Sequence, residues 1–256
     1  MRQTCPYLAK KKTKKMPDTG IATRLRAAGL TVREVAGWKT RGRDFAGVSP
    51  AFNPKGSVNH HTAGPPKSAG ALTPSLRIVT EGRSDLPGPL CNVYLGFDNV
   101  AYVVAAGVAN HAGLPDGGSC RGMTGNSQAY GLEVEHPGTS PLGTVRVALA
   151  ARIHAALLWH QGILPSQVVQ HWEWAPSRKV DLGTNMHPDT QPTAGEFRGM
   201  VARELKKLET VTAWRLSYLN GKRERVPGRT KDIAAWVKAH PGAFQRGKVH
   251  FEPDRS

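Results

Sequence analysis

The sequence predicts an α/β (α+β) protein in which a central mixed β-sheet is flanked by helices. Two observations carry this prediction. Segments with helical spacing of apolar residues alternate with short apolar runs typical of strands, and two of these runs are joined at Asp98-Asn99 by a turn of hairpin type. The order of elements is helix, strand, helix, strands, strand, helix, helix, which is typical of a mixed sheet covered by helices.

Hydrophobic spacing and breaker residues predict the first elements. Residues 21–29 carry apolar side chains at helical spacing and end at a glycine, and LTVREV alternates as a half-buried strand does. KGSVNHHTAG is expected to form a short strand that ends at its histidines, because Gly64-Pro65-Pro66 breaks the chain there. A helix is expected from about Pro74 to Glu81, since proline is tolerated in the first turn.

The same reasoning predicts the later elements. LCNVYLGF and VAYVVAAG form the two strands of the hairpin, and AYGLEVEH forms a further strand. Residues 144–161 have one apolar face and predict a helix that stops at Gly162. The last helix of this part begins near Thr193, because Thr193 and Glu196 have the spacing of a capping box.

The distribution of charge divides the chain into three parts. The net charge is +16, with six basic and no acidic residues in 1–16, and ten basic and four acidic residues in 211–256. We predict a basic disordered arm over residues 1–19, a central domain over 20–208, and a small basic, aromatic-containing C-terminal module over 209–256. The basic ends indicate attraction to a polyanion, such as nucleic acid, an anionic membrane face or an anionic cell wall.

Composition also excludes several classes of protein. No apolar run is long enough to cross a membrane, and the N-terminus lacks the apolar stretch of a secretory signal peptide, so synthesis in the cytoplasm is expected. The three cysteines, Cys5, Cys91 and Cys120, have no CxxC spacing, which argues against a disulfide framework and a cysteine-rich zinc module. A bridge between Cys91 and Cys120 stays open.

One short segment, HWEWAPSRKVD, combines side chains that suit a metal site. A loop that holds His171, Lys179 and Asp181 at fixed offsets can place two ligands on one ion with a positive charge beside it. A catalytic zinc site needs three protein ligands, so the third has to come from elsewhere, and the other histidine cluster is His60-His61. Taken alone, such a segment is more often an irregular surface loop than a metal site.

Four motifs together carry a family resemblance over roughly residues 20–207. The chain resembles zinc-dependent N-acetylmuramoyl-L-alanine amidases of the phage-lysozyme and peptidoglycan-recognition-protein fold, and its motifs are most similar to those of endolysins from phages of actinobacteria. Any one motif alone is a weak signal, but four in the family's order form a strong one. The motifs are VNHHTAG (58–64), ANHAG (109–113), YGLEVEH (130–136) and HWEWAPSRKVD (171–181).

The resemblance implies a zinc cleft at one edge of the sheet and a role for each matching residue. It implies that His60, His171 and Asp181 are the zinc ligands, with aspartate in the place that some members fill with cysteine. Glu133 then falls at the position of the catalytic base, and Lys179 at that of the group that stabilises the oxyanion. Where some members carry a catalytic tyrosine, this chain has Cys91, so tyrosine-assisted chemistry is not expected.

Several assignments stay open in the sequence. Four residues are predicted to bind substrate: His111, Asn110, Thr62 and Arg178. His111 has a structural role as an alternative, and Arg178 has solvent contact as an alternative. Glu133 and Glu135 alternate with apolar residues, so both could lie on the solvent face of an edge strand, and only the family position favours Glu133. His61 is either a structural neighbour of His60 or exchanges roles with it.

Three classes of function compete. The resemblance favours a hydrolase that cuts the bond between N-acetylmuramic acid and L-alanine in peptidoglycan, released to the wall by a holin-type partner and held there by its basic ends. A non-catalytic peptidoglycan-binding protein is expected to lack a ligand or the base, and this chain keeps all of them. A nucleic-acid-binding protein would explain the charge, but no nucleic-acid motif is recognisable. A monomer is expected.

Overall fold

The structure is a computed structural model that describes residues 17–43, 51–68, 70–182 and 192–209, together with three later strands. Its centre is a six-stranded sheet with the order β1-β6-β5-β7-β2-β8. The pairs β1–β6, β5–β7, β7–β2 and β2–β8 are parallel and β5–β6 is antiparallel. The predicted mixed sheet is therefore confirmed.

The strands of this sheet are β1 (Val32–Glu34), β2 (Gly56–His61), β5 (Val93–Leu95), β6 (Ala101–Val103), β7 (Ala129–Val134) and β8 (Val168–Gln170). A separate two-stranded hairpin consists of β3 (Gly82–Arg83) and β4 (Leu86–Pro87).

One face of the sheet, called here the helical face, packs against three helices. These are α1 (Ile21–Ala27), α3 (Thr144–Leu158) and α5 (Ala194–Glu209). Alternate strand residues such as Leu95, Leu132 and Val134 join the buried side chains of these helices in the main hydrophobic core. Burial of this apolar area, at about 25 cal/mol per Å², is the main force that holds the sheet and helices together. The capping box at Thr193 is confirmed, since Thr193 and Glu196 bond each other's backbone N–H.

The opposite face, called here the site face, carries smaller clusters and the polar residues. Helix α2 (Leu76–Glu81) covers one part of it through Val79, which packs with Cys91 and Tyr94. A second cluster contains Val58 and Trp174, and Trp174 is the last residue of the short helix α4 (His171–Trp174). The sheet is thus covered on both faces, with helices on each.

Strand β7 lies in the interior of the sheet, between β5 and β2. The alternative that Glu133 and Glu135 occupy the solvent face of an edge strand is therefore wrong. Alternation of polar and apolar residues normally marks a half-exposed strand, but here the polar residues face a polar cleft that is itself covered. Helix α4 differs from the irregular loop expected over residues 171–181, and the short strand β8, which precedes it, was not predicted from the sequence.

The ends of the chain are described in part. The disordered arm was predicted over residues 1–19. Residues 1–16 lie outside the described residues, whereas residues 17–19 are described, and Asp18 accepts a hydrogen bond from the Tyr130 hydroxyl at 2.6 Å. In the predicted C-terminal module, β9 (Ala213–Tyr218) pairs antiparallel with β10 (Arg223–Pro227) and β11 (Val249–Pro253). Among the described residues, no helix has the length and apolar character needed to span a bilayer.

Candidate active site

The parallel register of three strands brings the candidate ligands together. On β2 and β8, Asn59 pairs with Gln170, so the next residues along the two strands, His60 and His171, become neighbours. A hydrogen bond of 2.9 Å from Asn59 Nδ2 to Gln170 Oε1 holds this register from the helical face. On the other side of β2, His60 pairs with Glu133 of β7. Because parallel strands present their carboxyl ends at one edge, the functional groups converge there.

The three candidate ligands form a compact buried cluster. His60 Nδ1 lies 2.8 Å from His171 Nδ1, and His171 Nδ1 lies 2.8 Å from Asp181 Oδ2. His60 Nδ1 and Asp181 Oδ2 are 3.7 Å apart. All three residues are buried. Their ligand atoms all lie within 4.8 Å of one another, which is close enough for the three side chains to hold one metal ion.

The cluster passes a chemical test for a divalent metal site. Metal ligands must be deprotonated, and burial, followed by the neighbouring His171, lowers the pKa of His60 well below its ordinary value. Burial alone would raise the pKa of Asp181, but the imidazoles of His171 and His60 outweigh it and lower that pKa. A neutral imidazole of His60 and the carboxylate of Asp181 are thus available. Together with the ring nitrogen of His171 they make a nitrogen and oxygen set that fits a catalytic divalent site.

A second set of contacts fixes His171. Helix α4 begins after Gln170, whose backbone N–H donates to Glu173 Oε2 at 3.0 Å in a capping box. Arg198 of α5 donates to both carboxylate oxygens of Glu173, at 2.9 and 2.8 Å. This largely buried ion pair anchors the helix to the body of the domain, so the His171 backbone has little freedom.

The loop after α4 returns to place Asp181. The backbone N–H groups of Arg178 and Lys179 both donate to Ala175 O, at 3.1 and 2.9 Å, which makes a tight turn. The Trp172 N–H then donates to Asp181 O at 3.2 Å and ties the end of the loop to its beginning. Backbone hydrogen bonds within the loop therefore hold its two ends together, and this one segment supplies both Lys179 and Asp181.

Glu133 faces this cluster without a firm partner of its own. Its Oε2 atom is buried and has no hydrogen-bond partner among the described residues. Burial, and after it the charge of Asp181, raises the pKa of Glu133 well above its ordinary value, while the charge of Lys179 counteracts this rise. A desolvated carboxylate beside a metal-type cluster and an ammonium group has the surroundings of a catalytic acid–base.

Glu135 has the opposite character, that of a structural carboxylate. It is fully buried, and it accepts hydrogen bonds from Thr62 Oγ1 at 2.6 Å, from Ser75 N at 2.8 Å and from Ser75 Oγ at 2.9 Å. The Tyr94 hydroxyl also donates to it. These donors come from the loop after β2, from the start of α2 and from β5, so Glu135 joins three elements beneath the cleft. Its lone pairs are occupied, which leaves Glu133 as the better candidate base.

The four predicted substrate-binding residues all have partners within the protein. Asn110 Nδ2 donates to Pro87 O at 2.8 Å, and Thr62 donates to Glu135 as described. Arg178 Nη2 donates to Ala112 O at 2.9 Å and to Leu114 O at 2.8 Å, so its guanidinium clamps the loop that contains the ANHAG motif. His111 contacts His60, which favours the structural alternative for this residue. Contact of any of the four with substrate stays a prediction.

Two further alternatives are settled by position. His61 is partly exposed, and its Nδ1 accepts the N–H of Ala63 at 3.0 Å, so it lies outside the three-residue cluster. Cys91 and Cys120 are both free, so the open possibility of a bridge between them is wrong. Cys91 is fully buried beside Glu133, and burial raises the pKa of its thiol well above the ordinary value.

Sequence reasoning missed the contacts that hold the cleft in shape. Glu173, Arg198, Ser75 and Tyr94 were not singled out, because each acts through a partner far away in the chain. The spacing of Gln170 and Glu173 was the one local signal, since a polar residue followed three positions later by glutamate is typical of a helix start.

A mixed sheet with a His-His-Asp cluster at the carboxyl ends of parallel strands provides a site that could hold a metal ion. The family model described as N-acetylmuramoyl-L-alanine amidase matches residues 50–184, which is more than half of the chain. The chain therefore belongs to the N-acetylmuramoyl-L-alanine amidase family. The match contains all three cluster residues together with Glu133 and Lys179.

Other comparisons add similar structures. A search of curated proteins finds no match to the chain. Among solved structures, the hydrolase AmiA of Staphylococcus aureus in complex with its ligand is 12% identical over 70% of this chain and 84% of its own, with a TM-score of 0.49. A mutant endolysin from Bacillus subtilis is 18% identical over 67% and 99%, with a TM-score of 0.44. The N-acetylmuramoyl-L-alanine amidase LysC from Clostridium intestinale is 16% identical over 67% of this chain and 97% of its own, with a TM-score of 0.44. All three TM-scores are below 0.5, and none of these likenesses supports an assignment.

The different surroundings of the two glutamates give a stability prediction. Glu135→Gln should lower the free energy of unfolding by at least about 2 kcal/mol, because an amide nitrogen would meet donors that now bond a carboxylate. Glu133→Gln should not lower it, because Glu133 Oε2 has no hydrogen-bond partner among the described residues to lose, and the neutral amide removes a carboxylate whose ionisation is disfavoured by burial. Urea unfolding of the two metal-free variants at neutral pH measures both values. Equal losses would contradict the division of roles.

Proposed function

We propose that the protein is a zinc-dependent hydrolase that cleaves the amide bond between N-acetylmuramic acid and L-alanine in peptidoglycan. The observation that carries this proposal is the convergence of His60, His171 and Asp181 beside Glu133, in a chain that belongs to this amidase family. Nitrogen and oxygen ligands of this kind are common at catalytic zinc. Peptidoglycan is the substrate that the family membership supports.

Within the site, His60, His171 and Asp181 would hold the zinc ion. When bound, zinc supplies a Lewis acid that acidifies water and polarises the carbonyl of the scissile amide. Two neutral imidazoles and one carboxylate leave the site with net positive charge, which that chemistry requires. The three ligands take no other part in the reaction, and the tight loop around Asp181 keeps them in place.

Glu133 acts as the general base and then as the general acid. Its Oε2, which has no hydrogen-bond partner in the described part of the chain, accepts a proton from the attacking water. The same oxygen delivers that proton to the nitrogen of the leaving L-alanine. A carboxyl with a raised pKa is suited to this return step, since it holds the proton until the amine leaves.

Lys179 stabilises the charge that develops on the carbonyl oxygen. Its ammonium lies close enough to Glu133 to affect that residue's pKa, and its backbone belongs to the rigid turn at Ala175. A donor fixed in this way favours the tetrahedral transition state over the planar amide, and removal of such a donor typically costs on the order of 10²–10³ in rate.

The biological role that we propose is that of a phage endolysin, which degrades the host wall after release by a holin-type partner. The supporting observations are the family and the basic ends of the chain. The C-terminal module, with β9, β10 and β11, would attach the enzyme to anionic wall polymers, and the protein would act as a monomer.

The catalytic proposal predicts the effect of Glu133→Gln. This variant should release L-alanine amino termini from purified walls at a rate lower by roughly 10²–10⁴, while its zinc content equals that of the wild type. Mass spectrometry of the digested walls identifies the bond that is cut, and metal analysis measures the zinc. Wild-type activity in this variant would show that another residue is the base, and an absence of new L-alanine termini with the wild type would favour a non-catalytic wall-binding protein.

The attachment proposal predicts a charge-dependent affinity for walls. In the full-length protein, replacing Arg215, Arg223 and Arg225 with glutamine should weaken sedimentation with purified walls and reduce the salt dependence of binding. The register places these three on the neighbouring strands β9 and β10, with Arg215 paired to Arg225.

The matched control makes the same change of charge in the central domain, at the exposed residues Arg33, Arg77 and Arg203. Cleavage of small soluble wall fragments should stay at the wild-type rate in both variants. Equal loss of wall binding in the two variants would contradict attachment through the C-terminal module.

A further inference from the structure

The second ring nitrogen of His60 is engaged by a residue that the proposed reaction does not use. His60 Nε2 lies 3.0 Å from His111 Nδ1, and His111 Nε2 lies 3.2 Å from Ala129 O. The two imidazoles are in edge-to-face contact, with ring centroids 5.2 Å apart. A chain of three polar groups therefore runs from the backbone of β7, through His111, to the ring of His60.

The last acceptor of this chain determines where the protons lie. A backbone carbonyl can only accept, so His111 Nε2 carries the hydrogen that bonds Ala129 O. A neutral imidazole that carries its hydrogen on Nε2 has a lone pair on Nδ1, so Nδ1 of His111 is an acceptor. His60 Nε2 must then be the donor in the next bond. A neutral His60 with its hydrogen on Nε2 has a free lone pair on Nδ1, the atom that faces His171 and Asp181.

A glycine in the middle of β7 makes room for His111. A Cβ atom built on Gly131 would lie 2.6 Å from His111 Cγ and 2.9 Å from its Cδ2, closer than side-chain atoms approach one another. Glycine weakens a strand interior, so a reason for its presence is needed at this position. Gly131 lies on the site face, two residues before Glu133, and the space above it is filled by the imidazole.

The backbone on both sides of His111 is also held in place. The N–H groups of Ala112 and Gly113 both donate to Asn126 Oδ1 at 3.0 Å, and the N–H of Asn110 donates to Pro89 O at 2.7 Å. Arg178 also donates to Ala112 O. Together these bonds hold the backbone at His111 so that its ring lies over Gly131. Such rigidity is expected of a group whose function is to orient another.

We propose that His111 is a positioning residue that holds His60 in the tautomer whose Nδ1 is free to bind the metal. This inference rests on the proposed metal site and adds to it the residue that prepares one ligand before metal arrives. A partner on the far nitrogen of a ligating histidine fixes both its tautomer and its ring orientation. In this chain that partner is a second imidazole rather than a carboxylate.

The test compares zinc affinity among three variants, with competition against a chromophoric chelator as the measurement. His111→Phe keeps a ring of similar size but offers no acceptor, and it should lower zinc affinity by roughly 10–100-fold. His111→Asn places an amide oxygen near the position of Nδ1, and it should recover most of that loss. Gly131→Ala keeps His111 but displaces its ring, so it should also weaken zinc binding.

The matched control is His154→Phe, because His154 is another buried histidine with one bonded nitrogen, 2.7 Å from Ser57 Oγ, on the helical face. The zinc affinity of His154→Phe should equal that of the wild type. The visible absorption spectrum of the cobalt-substituted proteins provides a second readout, and it should change in His111→Phe and not in His154→Phe.

The outcomes separate the inference from the proposed function. Wild-type zinc affinity in His111→Phe, or equal losses in His111→Phe and His111→Asn, would overturn the positioning role while leaving the metal site intact. If His111→Phe does not fold, the other two variants decide, and wild-type affinity in Gly131→Ala overturns the inference. A wild-type protein that binds no zinc would contradict the proposed function itself, and the inference with it.

Discussion

The structure depends on one constraint: two imidazoles and a carboxylate, all buried, must face one another at a single point. Three acceptor groups held together in this way stabilise the fold only when a proton or a cation lies among them. The parallel register of β2 and β8 makes His60 and His171 neighbours, and a self-closing loop returns Asp181 to them. Three further contacts restrict movement of the cluster. They are the ion pair of Glu173 with Arg198, the hydrogen bond of Asn59 with Gln170, and the contact of the His111 ring with His60.

The two glutamates at the end of β7 show how surroundings divide roles between identical side chains. Glu133 lies in β7 and Glu135 directly follows it, yet four donors surround Glu135 and the Oε2 of Glu133 has no partner among the described residues. A carboxylate with all its lone pairs occupied is a fixed structural element. One that is desolvated and unpartnered can exchange a proton. The difference arises from the loop after β2, the start of α2 and β5, which supply the donors that bond Glu135.

Elements whose signals are local could be predicted from the sequence, and contacts between distant segments could not. The hairpin at Asp98-Asn99, the helix from Thr144 and the capping box at Thr193 each depend on residues within a few positions. Strand β8 was missed because three residues give no periodicity. The interior position of β7 was missed because alternation reveals polar faces without revealing what covers them. The ligands were found through the family's motifs, whereas the contact of His111 with His60 required the packing over Gly131.

The central claim is that His60, His171 and Asp181 hold one zinc ion. Diffraction from crystals of the full-length protein grown with zinc, recorded on both sides of the zinc absorption edge, tests this claim most directly. We expect one strong anomalous peak among His60 Nδ1, His171 Nδ1 and an Asp181 oxygen, with Glu133 and Lys179 facing it. A cluster whose three side chains bond only one another, with zinc absent or bound elsewhere on the chain, would contradict it.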